Sequence, residues 1–164
     1  MTAEQWFEHV EFLLLVHSVE NFTPQEICNL GHEHNGSILV APEPELLVNA
    51  VTLVDGPLSW IRGYQGDESV TVNSWFRSTA YNHAVGGTAR SMHLTCGASD
   101  ITKAGWTPAE VAMALHFDYP GAGALGIGLY KTFVHVDIRG LIGRRSPARW
   151  AGAGVDKVWW RLSD

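Results

Sequence analysis

Cysteine is scarce: the 164 residues contain only Cys28 and Cys96, and they form no Cys-x-x-Cys pair. This argues against a thiolate zinc site, and in a reducing compartment the two thiols are expected to stay unpaired. Long apolar runs are also missing. The N-terminal run Phe12-Leu13-Leu14-Leu15-Val16 is too short for a signal-peptide core or a membrane span, and no early Lys or Arg accompanies it. The chain is therefore expected to start in the cytoplasm of the cell that makes it, without membrane insertion. Positive charge is short as well: 11 Lys and Arg against 17 Asp and Glu leave a net charge of -6. Duplex nucleic acid and anionic membranes are disfavoured as main partners, because both are held by a basic face. Internal repeats and a domain linker are absent too.

What is present suits one domain over residues 1–164, 46% hydrophobic and long enough for a single core. Trp6, Phe7, Val10, Leu13 and Leu14 recur at helical spacing over residues 4–17. Thr23-Pro24-Gln25-Glu26 carries an N-cap, a first-turn proline and a capping-box acid, predicting a short helix that ends near Leu30 and Gly31. A longer helix is expected from Pro42-Glu43-Pro44, with Leu46, Leu47, Ala50, Val51 and Val54 inward and a break or kink at Gly56-Pro57. Val70-Thr71-Val72 reads as a strand, and Thr107-Pro108-Ala109-Glu110 opens a helix that packs on a sheet. Residues 124–130 and 133–138 are β-rich runs joined by Lys131-Thr132 in a tight hairpin. The glycine- and arginine-rich tail from Arg139 is expected to cover one end of the sheet.

Chemistry concentrates in Ser91-Met92-His93-Leu94-Thr95-Cys96-Gly97-Ala98-Ser99-Asp100-Ile101 and in Phe133-Val134-His135-Val136-Asp137. Six residues separate His93 from Asp100, enough for a turn that folds back onto a strand holding Ala98 to Ile101. His135 enters from the neighbouring hairpin. Two imidazoles and a carboxylate close three corners of a tetrahedron around Zn2+ and leave the fourth for water, as a catalytic rather than a structural site requires. Such a site lowers the pKa of its water and polarises a scissile carbonyl.

A hydrolase of this kind also needs a base and a cation. Alternation places Asp137 on the face of His135, where it is either the base that shuttles the proton or the carboxylate that orients the imidazole. Arg77 follows a strand and offers a bidentate fork to a substrate carboxylate, or else serves a structural ion pair. His32-Glu33-His34 is a rival metal motif in a polar loop without a third ligand. Trp150, Trp159 and Trp160 read as core, with a carbohydrate platform as the alternative.

These residues resemble the zinc D-alanyl-D-alanine carboxypeptidase family of peptidoglycan peptidases, whose metal-site fold is shared with the hedgehog signalling domain. The resemblance rests on Ser91, His93, Asp100 and His135 in the pattern Ser-x-His-(six residues)-Asp followed by a later strand His. It extends through Val70-Thr71-Val72-Asn73-Ser74, Arg77-Ser78, Tyr81-Asn82, Val85-Gly86-Gly87 and Phe133 to Arg139, about residues 22 to 150. It is nearest to the compact branch often encoded by bacteriophages.

The resemblance implies an α+β fold, an antiparallel sheet bearing the zinc site with helices packed around it. It also implies Zn2+ on His93, Asp100 and His135, with Arg77 on the substrate carboxylate and Ser91 supporting the site. The implied substrate is the bacterial peptidoglycan stem or cross-link peptide, met by release at lysis or as part of a virion. A catalytically weak wall-binding module and a D-Ala-D-Ala carboxypeptidase or dipeptidase acting on small precursors are the alternatives. Two departures stand out: Cys96 occupies a position where the family commonly has Gly, and Thr132 stands where better-known members place an acidic base.

Overall fold

Alternation along residues 133–138 divides the centre of the molecule into two faces. In the computed structural model, which describes residues 3–28 and 42–161, Val134, Val136 and Ile138 are fully buried in the core, while Phe133 and His135 line an open cleft on the other side. The strand that carries them, β4 (Val134–Asp137), sits at the middle of a five-stranded sheet. The others are β1 (Val70–Ser74), β2 (Ala98–Lys103), β3 (Gly126–Leu129) and β5 (Ala148–Ala151), in the order β1-β2-β4-β3-β5.

The fold is α+β, as the resemblance implied, and the first four strands of that order pair antiparallel. The tail does more than cover an end of the sheet. It supplies β5, which pairs parallel to β3, so the sheet is not antiparallel throughout. The hairpin forms where expected, closed by the Tyr130 N–H donating to the Phe133 carbonyl at 3.0 Å around Lys131-Thr132. The run from Ala124 enters the sheet only at Gly126, because residues 122–124 form a 3-10 turn.

Helices cover the face of the sheet that carries Val134 and Val136. The helix α1 (Ala3–Val16) buries Val10 and Leu14, and α2 (Pro24–Cys28) opens with the expected capping box, Glu26 accepting from Thr23 N–H at 2.8 Å. The end of that helix and the His32-Glu33-His34 motif lie outside the described residues. In the third helical region, α3 (Leu47–Leu53) passes through a wide π-helical turn at residues 54–58 into α4 (Ser59–Gly63). Pro57 has no N–H to continue the ladder, and Gly56 takes φ -93° and ψ -107°, so the helix widens and resumes rather than ending.

Two later helices complete the set. Ser78 caps α5 (Thr79–Ala84), accepting from Tyr81 N–H, a short helix that hydrophobic periodicity does not reveal. Thr107 and Glu110 form the capping box of α6 (Pro108–Phe117), whose Val111, Ala112 and Leu115 pack on β2, β3 and β4.

Lys103, at the end of β2, is buried against the carboxyl end of α4. Its Nζ donates to the carbonyls of Ile61 at 2.9 Å and Tyr64 at 2.6 Å, pairs with Glu68 at 3.1 Å, and lies over the Trp106 ring. The helix-end carbonyls thus gain a cation in place of water.

Register brings one residue from every strand into a single transverse row: Ser74, Asp100, His135, Gly128 and Trp150. A bulge between Val72 and Ser74 makes this possible, since it advances Ser74 to stand opposite Asp100. The row lies on the face away from α6.

Candidate metal centre

The Ser91–Asp100 segment folds as a turn because each end is pinned. Ser91 Oγ accepts from His93 N–H and caps a 3-10 turn over Met92–Thr95. Trp75, fully buried, grips that turn twice: its indole N–H donates to the Cys96 carbonyl at 2.8 Å, and its own carbonyl accepts from His93 Nδ1–H at 2.5 Å. Cys96 ends the turn at φ +57°, a left-handed conformation that glycine adopts freely and a side chain does not. The Cys96 thiol is free, buried in the core and pushed up in pKa by burial, so it is not a ready ligand.

The turn carries His93 onto β2 and β4, where three ligand atoms converge. His93 Nε2 lies 3.2 Å from His135 Nδ1 and 3.3 Å from Asp100 Oδ1, and His135 Nδ1 lies 2.9 Å from Asp100 Oδ1. Tetrahedral bonds of about 2.0–2.1 Å to zinc would set such atoms about 3.3 Å apart, close to this triangle. All three residues are buried, and they form the one such group among the described residues.

The donor set is equally specific. Trp75 O can only accept, so the His93 proton sits on Nδ1 and the Nε2 lone pair faces inward. Behind His135, Asp137 Oδ2 lies 3.0 Å from Nε2 and fixes the complementary tautomer, leaving Nδ1 for the site. Two imidazole lone pairs and a carboxylate oxygen directed at one point call for a cation. The residues therefore fit a zinc ion.

Charge follows the same logic. Burial alone would raise the pKa of Asp100, but its close contacts with the His135 and His93 rings outweigh that and hold the group well below the usual carboxylate range. Burial likewise opposes ionisation of Asp137, and Arg139 and His135 outweigh it. Burial keeps His93 neutral by lowering its pKa; for His135 the same burial is outweighed by Asp100 and Asp137, which raise it. Asp100 is aimed by Arg77, whose Nη2 donates to Oδ2 at 2.6 Å while Nε donates to Ser74 Oγ at 3.0 Å.

Asp137 requires a correction. It is 0% exposed, does not line the cleft, and receives three hydrogen bonds from Arg139 besides the one from His135. A carboxylate so placed orients His135 from behind and does not reach a water on the open side of the triad. Thr132 is exposed at the hairpin turn and also stays outside the cleft. Asp100 is the only carboxylate lining the cleft among the described residues.

The cleft has a volume of about 690 Å³ and runs past the triad, with Arg77, Arg90 and Ser91 among its lining and an aromatic wall formed by Tyr130, Phe133 and Trp150. Tyr130 and Phe133 stack at 4.4 Å, and the Trp150 indole N–H donates to Tyr130 Oη at 3.1 Å. Trp150 lies across β3 to meet the His135 ring at 5.1 Å, with the Arg139 guanidinium over the indole at 5.0 Å. It can do so because its neighbour in the row is Gly128, where a Cβ would collide with the indole. Gly126, two residues earlier, similarly leaves room for the Asp137–Arg139 pair.

Trp150 is thus a cleft residue, whereas Trp159 is core and donates to the Trp150 carbonyl at 2.9 Å. The signal for this was the alternate glycines of Gly126-Ile127-Gly128-Leu129, since glycine inside a strand marks a close approach.

Comparison with curated proteins returns no match. A family model described as peptidase M15 matches residues 20–137, a span holding the three candidate ligands with Arg77, Ser91 and Asp137. With well over half of its length inside that match, the chain belongs to the peptidase M15 family.

Proposed function

We propose that this chain is a zinc-dependent peptidase that hydrolyses a peptide bond in the stem or cross-link of bacterial peptidoglycan. The observation that carries this reading is the convergence of His93 Nε2, Asp100 Oδ1 and His135 Nδ1 within 3.3 Å of one another beside an open cleft. Membership of a peptidase family supports it, and the cell-wall substrate is supported by the ordered motifs from Val70 to Arg139. A phage-type lysin, released at lysis or carried by a virion, is the setting this reading favours.

Zinc held by the three residues would supply a Lewis acid for the scissile carbonyl and a bound water of lowered pKa. The chain's own residues do the rest. Asp137 and the Trp75 carbonyl keep both imidazole protons on the far side of the site. Arg77 holds Asp100 with one Oδ turned to the triad, and its Nη1, without a hydrogen bond among the described residues, is the edge available to a substrate carboxylate or to charge developing on the carbonyl oxygen. Ser91 keeps the His93 turn closed at the cleft wall. The aromatic wall excludes water from one side of the bond to be cut.

A second reading is favoured by one observation: no carboxylate besides the ligand Asp100 lines the cleft among the described residues. Without a positioned base, turnover is slower by about 10²–10⁴-fold, and the chain would be a zinc-stabilised wall-binding module. Incubating zinc-loaded protein with purified peptidoglycan and resolving the fragments by mass separates the two. New peptide termini support the peptidase, and release of free D-alanine from a soluble precursor identifies a carboxypeptidase or dipeptidase. Full zinc occupancy with no new terminus on any of these substrates overturns the enzyme reading. Zinc retained stoichiometrically by His93→Ala overturns the ligand set.

A further inference from the structure

Three arginines line the cleft, and they are not equivalent. Arg139 is spent on Asp137, to which its Nε and Nη2 donate at 2.8 and 2.6 Å. Arg77 divides its donors between Ser74 and Asp100. The Arg90 side chain has no hydrogen bond or ion pair with any described residue, and it is exposed at the rim of the same cleft. With Arg77 balanced by Asp100 and Arg139 by Asp137, Arg90 is the surplus positive charge of the cleft wall, in a chain of net charge -6.

The backbone beneath Arg90 is fixed although its tip is free. Its carbonyl accepts from Arg144 Nη1 at 2.7 Å, and the next residue's N–H donates to the Thr88 carbonyl at 3.0 Å. Buried Asn82 in turn donates to that Thr88 carbonyl at 2.9 Å and packs so closely on Gly87 that no Cβ fits there. A guanidinium on an anchored backbone, unpaired at the mouth of a cleft, is pre-organised to take a planar anion by a two-point fork.

We propose that Arg90 is a specificity-determining residue that binds a carboxylate of the substrate, on the cleft side formed by residues 81–91. The anion is a peptide carboxylate, from either of two sources: the free C-terminus of the substrate, or an acidic residue within the stem. The proposal rests on the peptidase reading for its setting.

The test uses zinc-loaded wild type, Arg90→Gln and Arg90→Lys with four synthetic stem pentapeptides. These carry a C-terminal free acid or amide, and glutamate or glutamine at the second position. Arg90→Gln is expected to raise KM by about tenfold for the peptide that bears the recognised carboxylate, with the loss falling on KM rather than kcat. The wild-type preference for that peptide over its neutral counterpart is expected to shrink to near unity, and Arg90→Lys to restore part of it.

The neutralised position that removes the Arg90 effect names the source of the carboxylate. An equal loss for all four peptides, or no loss, overturns the proposal. If wild type cleaves none of them, the peptidase reading is judged on peptidoglycan itself and the Arg90 claim is decided by calorimetric titration of the same peptides. Tighter binding of an acidic peptide by wild type than by Arg90→Gln supports it, and equal or absent binding overturns it.

Discussion

A single carboxylate shows how far one residue's role depends on which side of a ring it meets. Asp137 shares a face with His135, which made base and orienting partner equally compatible with the sequence; its contact with Nε2 and its triple bonding to Arg139 select the second. Asp137→Asn therefore should weaken zinc binding by about 10–100-fold, read by competition against a chelator, because an amide cannot accept from both the imidazole and the guanidinium as the carboxylate does. Cys96 makes a second residue-scale case. Placing a β-branched side chain at φ +57° costs about 1–2 kcal/mol. Cys96→Val should thus lower unfolding stability by about 2 kcal/mol despite its similar size. Cys96→Gly should stay within about 1 kcal/mol of wild type, relief of strain offsetting the lost thiol contact. Urea denaturation compares the two. That His93, Asp100 and His135 would converge was legible in the sequence because a fixed His-Asp spacing and a period-two strand leave few arrangements; the tautomers were not, because they depend on acceptors such as the Trp75 carbonyl that no side-chain pattern encodes.

Among the elements, those with strong local chemistry were legible. The capping boxes at Thr23 and Thr107 and the Lys131-Thr132 hairpin all appear where residue types demand them. The short pieces were not. Residues 148–151 read as tail because their burial is intermediate throughout, and only the partner strand β3 gives them a place in the sheet. The β1 bulge was equally hidden, being a property of pairing rather than of sequence. One prediction belongs to this scale. Gly128→Ala puts a methyl into the space of the Trp150 indole and should cost about 1–3 kcal/mol. In the Trp150→Ala background most of that cost should vanish, a coupling that a double-mutant cycle in chemical denaturation measures directly. Additive losses would place the indole elsewhere.

At the scale of the whole molecule, acid stability is tied to the tail. His116 of α6 accepts from Arg149 Nε at 3.0 Å through Nδ1, and its Nε2–H donates to the Trp160 carbonyl at 3.1 Å, so the imidazole is held neutral between β5 and the C-terminal turn. Burial first, then the Arg149 charge, lowers its pKa from the ordinary 6.5. The unfolded chain consequently takes up the proton before the folded one. Stability is full above the ordinary histidine value and declines as pH falls through it towards the folded value. Zinc-loaded wild type should lose urea resistance between about pH 7.5 and about pH 5.5, and His116→Gln should show a flatter profile over the same window. Zinc itself should raise the melting temperature with the logarithm of its free concentration once the site is saturated, and a chelator should reverse the rise, since His93, Asp100 and His135 meet only in the folded state.

The transverse row carries that last point further. Ser74, Asp100, His135, Gly128 and Trp150 come one from each strand, and a slip of any strand by one residue turns its member to the opposite face. A slip of β2 or β4 therefore leaves two of the three candidate ligands or fewer, and a slip of β3 or β5 disturbs the wall beside them. On the zinc reading, metal uptake in this fold would inspect the central pairing: the ion would be retained by molecules in which β2 and β4 have found their register, so zinc stoichiometry would count correctly paired centres of the sheet.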